Sequence, residues 1–500
     1  MQEVHGERPP REEKPPEAPA LHVAMASPEV APFAKTGGLA DVLGALPQAL
    51  ERLGVRVSLI LPAYRCVLQG GFPREDTGIT FTLPVSGGTQ EARLLRARVG
   101  RETPVYLMRA DRYFDRDHLY GTPEGDYPDN AERFVFFSRA VLEVLRLDPP
   151  QVLHCHDWQS ALAITFLKCQ PHLYPELRPV KTVFTVHNVG YQGVFWHLDW
   201  HLLGLGWEFF TPKYLEFYGK INFLKGGLAF ADAIATVSPT YAQEVQTPEV
   251  GLGLDGVFRE RAGDLLGILN GVDYDTWNPR FDGYIAKPYG PRSLSGKGAC
   301  KGDLQQSLGL SVDPDVPLLG MVSRLTPQKG VDLLQEAIEG LLQRGVQFAL
   351  LGAGDQRYEE FFGRLPALYP GRAGVHIGFD EALAHKVVAG ADMLLMPSRY
   401  EPCGLNQIYS LKYGTVPIVR ATGGLKDTVE PFDRQTGKGT GFLFRPYEVS
   451  AFLEAVDQAL ALYPQKGVWR AVMRNAMAAD FSWKRPAQEY LALYRRLLGA

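Results

Sequence analysis

Short, continuously apolar runs, each closed by turn residues and followed by a helical pattern, recur along both halves of this 500-residue chain. In the first half they fall at residues 21–27, 55–62, 105–109, 152–156, 182–187 and 234–238, and in the second at 318–323, 348–352, 375–379, 393–398 and 417–421. Unbroken apolarity, rather than alternation, is what a parallel strand buried on both faces requires. Helical patterns lie between the runs, as over 130–147 and over 331–344, where Leu333, Leu334, Ala337, Ile338 and Leu341 recur at helical spacing. Strand–helix alternation over the whole length predicts an α/β protein with doubly wound parallel sheets. The chain is too long for one ordinary core, so two domains are expected. Residues 274–302, rich in Gly, Pro, Tyr and Ser, read as a connection at the domain border. Residues 79–99 read as an inserted β-hairpin, and Pro47 predicts a kink in the first helix.

Two similar glycine loops stand out, one in each half: Thr36-Gly37-Gly38-Leu39-Ala40-Asp41 and Thr422-Gly423-Gly424-Leu425-Lys426-Asp427. Each follows an apolar run and opens a helical pattern. Glycines let backbone approach a ligand, and a helix start offers free N–H groups and partial positive charge. With a cation beside each loop, Lys35 and Lys426, the pair predicts two nucleotide-type domains facing one anionic ligand.

Net charge of −4 gives no electrostatic case for nucleic acid or an anionic membrane, and no run reaches the roughly 18–20 apolar residues of a membrane span. Five cysteines without C-x-x-C spacing predict a reducing, cytoplasmic setting. Residues 1–20, rich in Glu, Arg and Pro and without an apolar core, read as a disordered tail rather than a secretory signal.

In open parallel sheets, ligands bind beyond the carboxyl ends of the strands. The chain puts unusual polar residues there: His154-Cys155-His156-Asp157-Trp158, His187-Asn188, Ser323-Arg324 with Lys329, and Ser398-Arg399-Tyr400-Glu401-Pro402-Cys403-Gly404. The histidines carry ligand-type atoms but lack the spacing of a recognised zinc site, and a polar sugar-binding strand end is the preferred reading. Either histidine alone reads equally as a satisfied core residue, and Asp157 as the cap of a helix starting near Ser160. Arg324 and Lys329 lie where a helix dipole disfavours cations, a cost that an anionic ligand such as a diphosphate offsets; the plainer reading is two solvated cations. Glu401 precedes Pro402, which holds it out of the helix opened by Gly404; it suits a sugar hydroxyl or a developing positive charge, or else only the helix dipole.

Taken together, Lys35-Thr36-Gly37-Gly38-Leu39-Ala40-Asp41-Val42, Ser323 to Gly330 (Ser-Arg-Leu-Thr-Pro-Gln-Lys-Gly) and Glu401-Pro402-Cys403-Gly404-Leu405 closely resemble the bacterial glycogen synthases and plant starch synthases. His156-Asp157-Trp158, Thr185-Val186-His187-Asn188, Leu269-Asn270-Gly271-Val272-Asp273 and Tyr127-Pro128-Asp129-Asn130 match as well, from about residue 21 to the C-terminus. The resemblance implies the GT-B fold: two Rossmann-like domains facing a deep cleft, with residues 21–265 on the acceptor side and 266–480 binding the nucleotide sugar. Residues 481–500 would form a helix returning to the first domain. It implies retaining transfer of glucose from ADP-glucose to the non-reducing end of an α-1,4-glucan such as glycogen, with no metal and no cofactor. Lys35 and the Gly37–Gly38 backbone would then meet the donor phosphates and the reacting glucose. Arg324 and Lys329 would neutralise the diphosphate, and Asp157, His187 and Asn270 would hold glucose hydroxyls. Glu401 would lie near the transferred glucose. Asp41, Asn188, Cys403, Gly404, Leu405, Thr422, Gly423 and Gly424 would complete the substrate-binding set, and Phe379 would stack on adenine where relatives often carry Tyr. UDP-glucose as donor, or a catalytically silent glucan-binding protein, are the alternatives. A phosphorylase lacks its pyridoxal-lysine motif here, and a dehydrogenase would need a G-x-G-x-x-G after the first strand.

Overall fold

A computed structural model describes residues 21–85, 87–122 and 124–500; the tail expected at residues 1–20 lies outside them. The first domain is built on a nine-stranded sheet. Its strands are β1 (His22–Ala26), β2 (Arg56–Pro62), β3 (Glu75–Val85), β4 (Gly88–Val99), β5 (Thr103–Arg109), β6 (Val152–His156), β7 (Lys181–Val186), β8 (Ala233–Thr236) and β9 (Leu265–Gly267), in the order β9-β8-β7-β6-β1-β2-β5-β4-β3. All pairings from β9 to β5 are parallel, and β1 and β6 are buried along their whole length, which is why they read as unbroken apolar runs. The second domain carries a six-stranded parallel sheet. It comprises β10 (Leu318–Val322), β11 (Gln347–Gly352), β12 (Ala373–Ile377), β13 (Met393–Met396), β14 (Val416–Arg420) and β15 (Phe442–Phe444), in the order β12-β11-β10-β13-β14-β15.

Chain order reverses between β1 and β6 in the first sheet and between β10 and β13 in the second. At such a switch point neighbouring loops leave in opposite directions and open a crevice. The loops after these four strands carry Lys35, Asp157, Arg324 with Lys329, and Ser398 to Gly404, while His187-Asn188 and Asn270 follow β7 and β9.

Two expectations are revised. The hairpin begins at Glu75 rather than residue 79. Its extra turn crosses a register shift between Asp76 and Thr80 and is tied by ion pairs Arg96–Glu75 and Arg93–Asp76, polar contacts that hydrophobic patterning does not report. The connection over 274–302 ends early, because Ser295–Ser307 is a helix. Its glycines argue against helix locally. Tertiary contacts override them: the buried Lys297 amine donates to Ala389 O and Thr415 Oγ1 at 2.9 and 2.6 Å, and a Cβ on Gly296 would meet Pro288 O. The first helix, Gly38–Glu51, runs on through a buried Pro47.

The last helix, Lys484–Leu498, packs on the first helix, and Trp483, Ala487, Tyr490, Leu493 and Tyr494 belong to the first domain's core. Cys403, from the second domain, joins the same core. Tyr494 OH reaches the fully buried His154 Nδ1 at 2.8 Å, 340 residues away in sequence. Tyr494→Phe strands that nitrogen, so a loss of about 1–3 kcal/mol is expected. A melting curve indistinguishable from wild type would show that this bond does not anchor the C-terminal helix.

Candidate active site

At the switch point of the second sheet, the loop after β10 supplies Arg324 and Lys329, and the loop after β13 supplies Ser398 and Glu401. Lys329 Nζ donates to both Glu401 oxygens at 2.8 and 2.7 Å, and Ser398 Oγ donates to Oε2 at 3.0 Å. Glu401 is only 4% exposed, so it is not the dipole-favoured surface charge that was one reading of it. Burying an ion pair is costly unless each partner is well matched, and breaking one by removing a partner costs about 3–5 kcal/mol. Such a pair at a strand end is a poor way to gain stability. It is a good way to present charge.

Arg324 turns across to the first domain, where its guanidinium donates to Tyr191 OH at 2.5 Å and to Gln328 Oε1 at 3.4 Å. Gln328 also accepts from Asn188 Nδ2 at 3.4 Å, and Tyr400 OH reaches Asn188 Oδ1 at 3.5 Å. Arg324 is therefore not a simply solvated cation. Tyr191, Gln328 and Tyr400 were not singled out from sequence. Gln328 lies between the two cations and was within reach of a motif reading, whereas Tyr191 carries no local signal.

On the first domain, β6 and β7 end at His156-Asp157 and His187-Asn188. Asp157 has φ +56°, a left-handed conformation that a non-glycine residue adopts only where the surroundings impose it. The helix after it begins at Trp158, so Asp157 does hold the cap position, but its side chain makes no cap bond; its Oδ1 accepts from His187 N at 2.7 Å. Burial pushes its pKa up to about 7, against the backbone N–H groups that favour the charged form. His154 and His156 are fully buried and His187 is half-buried, and the three form a line rather than a metal-type cluster among the described residues. His154 uses Nε2 on Thr185 Oγ1 at 2.7 Å as well as Nδ1 on Tyr494, and His156 Nδ1 meets His187 Nε2 at 3.0 Å. Asn270, just beyond β9, is buried, and its Oδ1 has no partner among the described residues.

The first glycine loop is exposed and meets the second domain, since a Cβ on Gly38 would lie 3.3 Å from Leu405 Cδ1. Lys35 Nζ pairs with Asp41 at 2.7 Å. Desolvation raises the Asp41 pKa, which Lys35 opposes. The loop's amides are not an open anion cradle, however. Glu29 takes Thr36 N at 2.6 Å, Thr36 Oγ1 at 2.5 Å and Gly37 N at 3.2 Å, and Tyr120 OH adds a bond to it at 2.8 Å.

The second loop departs further from its sequence reading. Thr422, Gly423 and Gly424 are buried, and a carboxylate from the first domain fills the seat: Glu244 accepts from Thr422 Oγ1 at 3.0 Å and from Gly423 N at 3.0 and 3.2 Å. Gly424 N donates to Glu401 O at 3.1 Å. A Cβ on Gly423 would collide with Glu401 O, and one on Gly424 with Cys403 O. These glycines are there because the backbone of Glu401, Pro402 and Cys403 presses on them. Gly404 has φ +71°, and a Cβ there would meet Gln407. Phe379 lies beyond the end of β12 and is 86% exposed, so the fold leaves its ring open rather than packed with the others.

Comparison with known proteins finds relatives over nearly the whole chain. The starch synthase catalytic domain family matches residues 22–260, and the group 1 glycosyl transferases match residues 308–474. The chain is similar to a glycogen synthase of Koribacter versatilis, 48% identical over 95% of this chain and 98% of that one. A glycogen synthase of Syntrophotalea carbinolica is also 48% identical, over 95% and 99%. Among solved structures it resembles the catalytic domain of starch synthase IV from Arabidopsis thaliana bound to ADP and acarbose, with a TM-score of 0.88 and 33% identity over 96% of this chain and 100% of that one.

The raised Asp157 pKa gives a testable sign. Between the ordinary 3.8 and about 7, the folded state holds a proton that the unfolded state releases, so this group's contribution to stability falls as pH rises through that window. Asp157→Asn keeps the acceptor for His187 N without the buried charge. It is expected to raise the melting temperature by roughly a few degrees at pH 8 and by less at pH 5. An equal difference at both pH values would refute the raised pKa.

Proposed function

The chain belongs to the family of bacterial glycogen synthases and plant starch synthases, which are glucosyltransferases of the GT-B fold, and on that premise we propose that it transfers glucose from ADP-glucose to the non-reducing end of an α-1,4-glucan with retention of configuration. The observation that carries the reading is the pair of half-buried Lys329 and buried Glu401 at the switch point of the second sheet, with Arg324 on the same loop.

Glycosyl transfer needs stabilisation of a departing diphosphate and of an oxocarbenium-like sugar. Arg324 offers a planar fork for phosphate oxygens and Lys329 a point charge. The diphosphate gives Lys329 a second anionic partner beside Glu401, while the Glu401 carboxylate faces the sugar whose positive charge grows as the bond breaks. Lys35, on the exposed first loop, supplies a third cation from the opposite wall. His187, Asp157 and Asn270 hold glucose hydroxyls, and the unpartnered, buried Asn270 Oδ1 supports that role. Asn188 bonds to Gln328 across the cleft, and Leu405 abuts Gly38, so both lie where the two domains meet. Gly404 supports this loop, and Thr422, Gly423 and Gly424 serve the site through Glu401 and not through ligand contact. Phe379 offers an open aromatic face for adenine.

Retaining hydrolases use two carboxylates about 5 Å apart, one of them a nucleophile. Glu401 instead has an ammonium and a hydroxyl as its bonded neighbours. That environment favours same-face attack, with the donor phosphate taking the acceptor's proton.

Purified protein incubated with glycogen and either ADP-glucose or UDP-glucose is expected to release ADP and extend chains. Turnover with UDP-glucose alone would overturn the donor assignment, and turnover with neither would favour a silent glucan-binding protein. Arg324→Ala is expected to cut turnover by about 10²–10³ with a near-normal melting temperature, since the side chain is exposed. Lys329→Ala should do the same while also destabilising the fold, because it leaves Glu401 buried and unpaired. Glu401→Gln is expected to keep ADP affinity and lose turnover; unchanged turnover with a lower melting temperature would make Glu401 structural.

A further inference from the structure

We infer that His156 is a positioning residue that fixes the single proton of His187 on Nδ1, so that the ring presents an N–H donor to the sugar in the cleft; the inference rests on the glucose-binding role proposed for His187. The two rings meet through His156 Nδ1 and His187 Nε2 at 3.0 Å, and this contact needs one proton between two nitrogens. Both rings are neutral, because burial holds His187 down to about 3 and His156 well below the ordinary histidine value. Each ring therefore carries one proton, and only two arrangements satisfy the contact.

In the first arrangement His187 donates from Nε2. His156 then accepts on Nδ1 and must keep its own proton on Nε2. That atom is buried and has no partner among the described residues, so the result is an orphaned N–H. The neighbouring ring offers no acceptor: His154 lies against it at a 34° tilt with centroids 4.1 Å apart, and both His154 nitrogens are already engaged by Tyr494 and Thr185. In the second arrangement His156 donates from Nδ1, and the atom left over is a bare lone pair. Buried N–H groups without acceptors are rarer than under-used acceptors, and the second arrangement avoids one.

The consequence passes to His187. With Nε2 committed as acceptor, its proton sits on Nδ1, which makes no hydrogen bond among the described residues and is not enclosed as an orphan. Asp157 lies alongside, its carboxylate already bonded to the His187 backbone N–H. A hydroxyl both donates and accepts, so an N–H from His187 beside the carboxylate of Asp157 fixes the hydroxyl's orientation as well as its place. His156 never touches the sugar. It decides what His187 offers.

The test reads the proton directly. In 15N-labelled protein, with the His187 signals identified by their loss in His187→Gln, Nδ1 is expected to be the protonated nitrogen. Protonated Nε2 in the wild type would overturn the inference whatever the kinetics show. His156→Leu removes the donor and is expected to lower turnover by about ten- to a hundredfold, with ADP affinity unchanged. His156→Asn, whose amide N–H takes the Nδ1 position, is expected to recover most of it. Wild-type turnover in a folded His156→Leu would refute the positioning role, and if that variant fails to fold, the nitrogen spectrum of the wild type still decides. Normal turnover of His187→Gln would sink the glucose-binding reading itself, and the positioning role with it, even where the nitrogen shifts agree.

Discussion

The two domains are bolted together by an exchange of helix caps. The helix Pro239–Glu244 ends in Glu244, whose carboxylate sits on Thr422 and Gly423 at the start of the helix Gly423–Thr428. That second helix carries Asp427, whose carboxylate accepts from Thr240 N at 2.8 Å and Thr240 Oγ1 at 2.6 Å at the start of the first. Each helix neutralises the other's N-terminal amides, and each dipole gains an anion. Burial raises the Glu244 pKa, and the Gly423 N–H and Thr422 hydroxyl work against that shift. From this joint the order spreads inward. Gly424 N holds Glu401 O, and Ser238 Oγ, at the start of the same first helix, donates to Pro402 O at 2.7 Å. The backbone on either side of the Glu401 side chain is thus fixed by the interface, not by its own domain alone.

What that fixed backbone presents is governed by strand order. Residues 27–41 and Asp157 are far apart in sequence but follow adjacent strands at the first switch point; Arg324 to Lys329 and Ser398 to Leu405 do the same at the second. Both positions also carry the costs that a purely structural design avoids. Asp157 has a left-handed backbone and a desolvated carboxyl, and Lys329 and Glu401 share a largely buried charge pair. Unfavourable terms of this kind at crevices that face each other mark a site where ligand contacts complete the balance.

Much of this was legible because the signals are local. Parallel strands buried on both faces write themselves as apolar runs, and the residues just after them stand out as polar, so His187, Arg324, Lys329 and Glu401 could be singled out. The helix Ser295–Ser307 could not, because three glycines lower its propensity and the buried amines of Lys297 and Lys301 secure it by bonds to distant segments. Nor could Tyr191, which meets Arg324 across 133 residues, or Glu244, which meets Thr422 across 178. A residue whose only reason is a partner on another domain leaves no periodic trace.

The glycine loops show how one local pattern can end in two different settings. Both Thr-Gly-Gly sequences do form anion seats from a threonine hydroxyl and following amides, and both seats hold a carboxylate. In the first, Glu29 comes from seven residues upstream, and the loop stays exposed at the cleft; in the second, Glu244 comes from the other domain, and the loop is sealed. The shared sequence specifies the seat, while the surrounding chain decides whether it receives a ligand or an internal acid. Gly37 and Gly423 already spend their N–H groups on protein carboxylates, so under the proposed function the charge for a diphosphate falls chiefly to side chains. Lys35, Arg324 and Lys329 lie on loops that follow β1 and β10 at the two switch points, held by Asp41, Tyr191 and Glu401 respectively. Under the proposed function, donor recognition then rests on cations of two kinds: Arg324, which is exposed and can be removed without stranding a buried partner, and Lys329, whose removal also leaves the buried Glu401 without its counter-charge.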